Sequence, residues 1–302
     1  MLIVGALVLA GCIGKAPQPR TQVILLGTGT PNPDPDRSGP AVAVVVGGRS
    51  YLVDAGPGMV RRAAAAAKDG VPALAMPELR RVFITHLHSD HTLGLPDLIF
   101  TPWVIDREVP LQAFGPPGLE QMVARLLEAW EEDIDIRSHD LQPHTERGYE
   151  VVVTETVGGE VYRDSLVTVT AIRVDHGAWP VALAYRFETP DGVILISGDA
   201  RYSPALEAAA AGVDILVHEV ISAVGLANRS PEWQAYHSTY HTQADELARL
   251  AAAAQPGLLV LYHQLFSGVT EAALLEEITG RYEGTVVSGR DLDRFSLPLP
   301  GQ

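Results

Sequence analysis

The sequence predicts an α/β protein in which two packed β-sheets carry helices on both outer faces. Short runs of β-branched residues alternate with Ala-, Leu- and Arg-rich segments from Thr21 onward. Gly- and Pro-rich turns separate these segments, and no low-complexity linker interrupts them. Of the 302 residues, 47% are hydrophobic, which is enough for a large core. Strands that alternate with helices on both faces favour two packed sheets over a singly wound dinucleotide fold.

The first half of the chain contains strand candidates that are bounded by glycine or proline. In order they are QVILLG, AVAVVVGG, SYLVDAG, RRVFI and VPLQAFGPP. The helix candidates are GMVRRAAAAAKDG, with Gly70 as a C-cap, LGLPDLIFTPWV and GLEQMVARLLEAWEED. The loop GTGTPNP is not a phosphate-binding loop, because Pro31, Pro33 and Pro35 prevent the helix that such a loop must open.

The second half repeats the alternation with longer strands. The strand candidates are EVVVTET, LVTVTAIRV, ALAYRFET, GVILISGD, AGVDILVHEV and GLLVLYH. One helix candidate, TQADELARLAAAA, precedes the last of these strands. Domain 21–302 is therefore expected to be one continuous α/β unit.

The charge balance argues against a nucleic-acid partner. The formal net charge is -15 and the pI is near 5.0. No Lys/Arg cluster is longer than a pair, so the sequence offers no evident basic groove for RNA or DNA.

The N-terminal segment predicts export. MLIVGALVLAGC is apolar but too short to span a bilayer as a helix, and it contains the only cysteine, Cys12. LAGC resembles the lipobox of bacterial lipoproteins, so residues 1–12 are predicted to be a lipoprotein signal peptide with Cys12 lipidated. Residues 13–20 would then tether the domain to the periplasmic face of the cell envelope, at the outer membrane in a Gram-negative cell. The alternative is a buried core strand with an incidental thiol.

The segment THLHSDH places four candidate metal ligands directly after a buried strand. His86 and His88 are separated by one residue and can bind one cation from the same side, while Asp90 and His91 point toward a neighbouring position. Imidazole nitrogens with a carboxylate suit zinc and allow a position to stay open for water.

Three further polar residues follow β-rich runs downstream. They are His176, Asp199 and His263. Strand ends that share one edge of a sheet bring such residues together, so the sequence predicts a metal cage at that edge.

These motifs, together with LGTGTPNP, HSDHTLGLPDL, LQAFGPPGL and LVHEV, resemble the metallo-β-lactamase superfamily, in the branch of ribonuclease Z and the zinc-dependent arylsulfatases. The resemblance implies an αββα sandwich with two mixed sheets and a binuclear site. It implies two Zn²⁺, with Mn²⁺ or Fe²⁺ as alternatives, that activate the attacking water. The implied ligands are His86, His88 and His176 for the first ion, Asp90, His91 and His263 for the second, and Asp199 as the bridge. Asp90 would also orient the water.

The resemblance assigns further roles near the metals. Asp54 would support the metal-binding histidines from behind. Glu219 and His241 resemble a pair that donates a proton to the leaving group. His241 is preferred over His237 because it directly precedes the ADELA helix. The remaining histidines are interpreted as surface or packing residues: His139, His144, His218 and His237. Four aromatic residues flank the motifs and are candidates for a pocket lining or for core packing: Trp103, Trp179, Trp233 and Tyr236.

The spacing of the motifs shapes the expected substrate. Ribonuclease Z inserts a protruding arm between its third histidine and its bridging aspartate, whereas His176 and Asp199 are only 23 positions apart here. With the predicted export signal, this favours an exported hydrolase of small sulfate or phosphate esters, arylsulfatase-like or phosphodiesterase-like. The alternatives are a ribonuclease Z-like tRNA 3′ endonuclease, a lactonase, and a metal-bound ligand-binding lipoprotein without activity. The sequence leaves the oligomeric state, including a homodimer, open.

Overall fold

The computed structural model describes residues 21–141 and 145–299, and its strands include every β-rich run that the sequence indicates. The predicted signal peptide 1–12 with Cys12, the tether 13–20, and His144 lie outside the described residues. In the described ranges, no helix is both long enough and apolar enough to cross a bilayer.

The strands and helices follow one another in alternating order. The strands are β1 (Thr21–Gly27), β2 (Ala41–Val46), β3 (Arg49–Val53), β4 (Arg81–Phe83), β5 (Leu111–Gly115), β6 (Val151–Glu155), β7 (Gly159–Arg163), β8 (Thr168–Val174), β9 (Ala182–Thr189), β10 (Gly192–Ile196), β11 (Ile215–Ile221), β12 (Leu258–Leu265), β13 (Val286–Ser288) and β14 (Arg294–Leu297). The helices are α1 (Met59–Lys68), α2 (Ser89–Thr92), α3 (Leu95–Val104), α4 (Leu119–Ala129), α5 (Glu131–His139), α6 (Pro204–Ala210), α7 (Ala223–Ala227), α8 (Pro231–Tyr240), α9 (Ala244–Ala254) and α10 (Glu271–Thr279).

The strands form two mixed sheets of similar design. The first has the order β14-β1-β2-β3-β4-β5-β6, and the second has the order β13-β12-β11-β10-β9-β8-β7. In the first sheet, β14 to β3 pair antiparallel and β3 to β6 pair parallel. In the second, β13 to β10 pair parallel and β10 to β7 pair antiparallel.

The burial of β2 shows how the layers stack. Val42 and Val44 belong to the core between the two sheets, whereas Ala41 and Ala43 belong to the core between the first sheet and helices such as α1 and α3. A third core packs α6, α9 and α10 on the second sheet. A strand buried on both faces reads as a continuous apolar run, as AVAVVV does. The predicted α/β/β/α sandwich is confirmed.

The structure differs from the sequence prediction in several elements. The predicted single helix GLEQMVARLLEAWEED is two helices, because the chain breaks at Trp130, whose φ of -109° is not helical. Eight elements were not predicted: β7, β13, β14, α2, α6, α7, α8 and α10. The helix α8 was not predicted because none of its side chains is buried, and its sequence therefore lacks the regularly spaced apolar residues that indicate a helix.

Candidate metal centre

The carboxyl ends of four strands deliver the predicted ligands to one edge of the sandwich. The segment from His86 to His91 follows β4, His176 follows β8, Asp199 follows β10, and His263 lies near the end of β12. Because β8, β10 and β12 run in the same direction, their carboxyl ends share one edge of the second sheet. All seven predicted ligands meet there in two adjoining groups that share Asp199.

The first group contains three imidazoles and one carboxylate: His86, His88, His176 and Asp199. The Nδ1 atom of His88 lies 2.9 Å from His86 Nε2 and 3.1 Å from His176 Nε2. A tetrahedral zinc with Zn–N bonds of about 2.0–2.1 Å would place its nitrogen ligands about 3.3 Å apart. The spacing of the three nitrogens is therefore close to that of a tetrahedral site.

Neighbouring groups fix which ring nitrogen of each histidine faces this centre. His176 Nδ1 donates to the carbonyl oxygen of Tyr240 at 2.7 Å, which leaves its Nε2 to face the centre. The Trp179 indole Nε1 lies 2.7 Å from His88 Nε2, on the side of the ring away from the centre, so that His88 Nδ1 faces the centre. Burial lowers the pKa of His86 well below 6.5 and that of His176 to about 4. Neutral imidazoles with one nitrogen directed inward are the form that binds a metal ion.

The second group comprises Asp90, His91, Asp199 and His263. His263 Nε2 lies 3.2 Å from Asp90 Oδ2 and 3.3 Å from Asp199 Oδ2. His91 Nε2 and Asp199 Oδ1 face each other at 3.3 Å, and both are buried without a hydrogen-bond partner in the described residues. Against the opposing effect of burial, the carboxylates of Asp199 and Asp54 raise the pKa of His91 well above 6.5. A cation that replaces the proton at Nε2, while Nδ1 keeps its bond to Asp54, would satisfy both buried atoms. The residues therefore fit a divalent metal.

Asp54 supports both halves of the motif from below. It is buried, has a φ of 62°, and accepts hydrogen bonds at 2.8 Å from the backbone N–H of Thr85 and from His91 Nδ1. Thr85 Oγ1 also donates to Asp54 and lies 3.0 Å from His86 Nδ1. Thr85 was missed from the sequence, because its contact depends on the left-handed backbone of Asp54.

Glu219 and His241 adjoin the second group, as predicted from the sequence. Glu219 Oε2 lies 3.3 Å from His241 Nδ1, and Glu219 Oε1 accepts a 2.8 Å hydrogen bond from the backbone N–H of Thr242. Burial raises the pKa of Glu219 well above 4.5 and lowers that of His241 to about 4. The structure places His241 rather than His237 beside Glu219; its role as a proton donor stays a prediction.

A cavity of about 840 Å³ opens above the metal groups. The Pro-rich loop 29–35 forms one wall, and Arg229, Trp233, Tyr236 and His237 form another. Such a volume admits a sizeable ligand. The interpretation of His237 as a surface or packing residue is therefore incomplete, since its ring lines the cavity.

The other candidates from the sequence lie elsewhere or contact the site indirectly. Trp103 is buried in the core, where its Nε1 donates to the carbonyl of Thr145. His139 is exposed, and His218 is buried with Nδ1 near the Glu219 carbonyl oxygen. Of the aromatic candidates, Trp179 contacts His88, whereas Trp233 and Tyr236 line the cavity.

Comparisons with known proteins identify relatives along most of the chain. Residues 49–264 match the family described as "Beta-lactamase superfamily domain". Ribonuclease Z of Mycobacterium sp. (strain KMS) is 37% identical over 248 residues, which cover 81% of this chain and 84% of the relative. Ribonuclease Z of Mycolicibacterium paratuberculosis is 35% identical over 289 residues, which cover 92% of this chain and 99% of the relative.

Solved structures show the same fold. Human tRNase Z, short form, superposes with a TM-score of 0.67 at 22% identity and covers 92% of this chain and 100% of its own. The metallo-beta-lactamase fold protein YhfI from Bacillus subtilis has a TM-score of 0.67 at 17% identity and covers 91% of this chain and 98% of its own. At these identities, the two structures are evidence of the fold alone.

The relatives overturn two expectations. A small sulfate or phosphate ester as substrate and the exclusion of nucleic acid are both wrong, because the curated relatives are named as ribonucleases. The short spacing between His176 and Asp199 did not distinguish a hydrolase of small esters from a ribonuclease. The alignment with the M. paratuberculosis relative covers nearly all of both proteins and leaves no room for a long arm that only the relative would have. The net charge of -15 is a sum over the chain and does not describe the cavity.

Proposed function

The chain belongs to the metallo-β-lactamase superfamily and, within it, to the ribonuclease Z family, and from this premise we propose that it is a metal-dependent endonuclease that cleaves a phosphodiester bond in the 3′ region of precursor tRNA. The observation that carries the proposal is the identity of 35–37% with proteins named Ribonuclease Z over most of both chains. The complete set of seven metal-binding candidates beside a Glu-His pair supports the hydrolytic part.

The proposed site would hold two divalent ions, with zinc as the favoured metal. His86, His88 and His176 would bind one ion, Asp90, His91 and His263 the other, and Asp199 both. Ions held there would supply Lewis acidity, which makes water acidic enough to ionise near neutral pH and offsets charge on phosphoryl oxygens.

The protein's own groups would position the substrate and move protons. Asp90 Oδ2 lies at the floor of the cavity, 3.2 Å from His263 Nε2, where it can accept a hydrogen bond from the attacking water. Because His241 Nδ1 faces Glu219, the Nε2 atom of His241 is the nitrogen available to the cavity. His241 Nε2 would give a proton to the leaving ribose oxygen, and Glu219 would hold the ring in place and restore the proton.

The test is cleavage of a precursor tRNA with an extended 3′ end by zinc-loaded protein. We expect one major cut that releases the 3′ extension, with loss of cleavage after chelation and recovery after zinc is restored. A matched RNA hairpin of equal length that lacks the tRNA fold serves as the substrate control. If the metal-replete protein hydrolyses a small phosphodiester but leaves precursor tRNA intact, the tRNA part of the proposal is refuted.

A further inference from the structure

The helix α8 lies at the surface although it is rich in aromatic residues. No side chain of α8 is buried, and Trp233 and Tyr236 are 48% and 41% exposed. The helix α5 also buries no side chain, but its sequence EEDIDIRSH is mostly charged, which accounts for its exposure. Adjacent exposed aromatic residues beside a cavity indicate a surface for a ligand.

The rings of α8 lead toward the metal groups in steps of one helical turn. Trp233 and His237 are four residues apart on α8, which places them along one face, and His241 follows directly after the end of the helix. The Trp233 and His237 rings are stacked, with centroids 5.4 Å apart and planes at 21°. The next centroid steps are 5.5 Å from His237 to His241 and 5.7 Å from His241 to His263. Trp233, Tyr236 and His237 are named the α8 stacking face here.

Positive charge accompanies the α8 stacking face. Arg229 precedes Trp233 by four residues, is exposed, and lines the same cavity. Within residues 21–141 and 145–299, no carboxylate forms an ion pair with Arg229. Arg37 lines the cavity as well, and its guanidinium lies over the Phe266 ring. Arg37 is paired with Glu271 at 4.0 Å, so Arg229 is the cation that could bind a ligand. Flat rings beside such a cation are the combination that binds single-stranded nucleic acid through base stacking and phosphate contacts.

We infer that the α8 stacking face binds an unpaired base of the RNA strand near the cleaved bond, while Arg229 binds a neighbouring phosphate. The inference rests on the proposed function and specifies where the RNA strand lies. Since stacked nucleotides rise about 3.4 Å each, the two ring steps from Trp233 to His241 correspond to about three nucleotides. The contacted base is therefore within about three nucleotides of the scissile phosphodiester. The surface favours single-stranded over paired RNA, because a base must be unstacked to meet the rings.

The experiment combines Trp233→Ala with single abasic nucleotides placed in turn at each position around the cut of a precursor tRNA. Loss of one base–aromatic stack weakens binding about 5- to 150-fold, so Trp233→Ala should raise KM by about that factor and change kcat little. At one position, the abasic substrate should raise KM for the wild type but add almost nothing for Trp233→Ala. Trp130→Ala, which removes a 39% exposed tryptophan outside the cavity lining, is the matched control.

The outcomes separate this inference from the proposed function. If the wild type fails to cleave precursor tRNA, the proposed function fails first. If the wild type cleaves but Trp233→Ala matches Trp130→Ala, or if abasic and Trp233→Ala effects multiply at every position, the stacking inference is refuted. Arg229→Gln should reduce the salt dependence of KM without this positional pattern, and an unchanged salt dependence would refute the phosphate contact.

Discussion

Replacing Asp54 by Asn would test how the second group of metal-binding residues obtains its protonation state. Asparagine has the same shape and tolerates the φ of 62° at this position. Its carbonyl oxygen can still accept the hydrogen bond from the Thr85 backbone N–H, but its amide NH₂ would then face His91 Nδ1. Two donors cannot share that hydrogen bond. His91 would have to move its proton to Nε2, the atom that faces Asp199.

The magnitude follows from the position of Asp54 behind the ligands. Loss of a group that orients a metal-binding histidine typically lowers metal affinity 10–100-fold, which is about 1.4–2.8 kcal/mol. His91 belongs to the second group only. We therefore expect the ion bound by Asp90, His91 and His263 to be weakened, while the ion bound by His86, His88 and His176 is retained more tightly.

Zinc titration against a chromogenic chelator, with zinc per chain measured by plasma emission, would resolve the two affinities. Asp164→Asn is the matched control. Asp164 also accepts several hydrogen bonds, from the backbone N–H of Leu166 at 2.7 Å and of Val167 at 3.0 Å, and from Tyr51 Oη at 2.7 Å, but it belongs to neither metal group. Wild-type affinity for both ions in Asp54→Asn would refute the reasoning.

Three further changes separate metal binding, chemistry and folding. Asp199→Ala should lose both ions and all cleavage, because Asp199 belongs to both groups; zinc analysis that finds one ion retained at wild-type affinity would contradict a bridging role. His241→Ala should keep its zinc but slow the hydrolysis of phosphodiesters with poor leaving groups about 10²–10⁴-fold. If the variant matches the wild-type rate for every leaving group in a series, His241 is not the proton donor. Arg107→Met should lower the free energy of unfolding by more than about 3 kcal/mol in a urea titration, because this buried arginine donates five hydrogen bonds to backbone oxygens; a loss under about 1 kcal/mol would contradict that role.

The sequence predicted the layers of the fold and the ligand positions because both leave local patterns. A strand buried on both faces must be apolar throughout. THLHSDH places four candidate ligands within seven residues directly after a buried strand. The downstream ligands His176, Asp199 and His263 were found because each lies at the end of a β-rich run.

The features that were missed depend on structure rather than pattern. The position of Thr85 follows from the left-handed backbone of Asp54, and α8 has no buried face whose period could reveal it. The exclusion of a nucleic-acid partner was wrong for another reason. Net charge averages over the chain, whereas RNA would meet only the few residues around one cavity.

The assignment of ligands to the two sheets has a mechanical consequence. The chain crosses from β6 at the rim of the first sheet to β7 at the rim of the second through residues 156–158. Ligands before this crossing follow strands of the first sheet and those after it follow strands of the second, so each ion would join the two sheets, as the pairing of β14 with β1 also does. A chain cut at the crossing would yield two fragments that each hold an incomplete ligand set, and divalent ions would drive their reassembly.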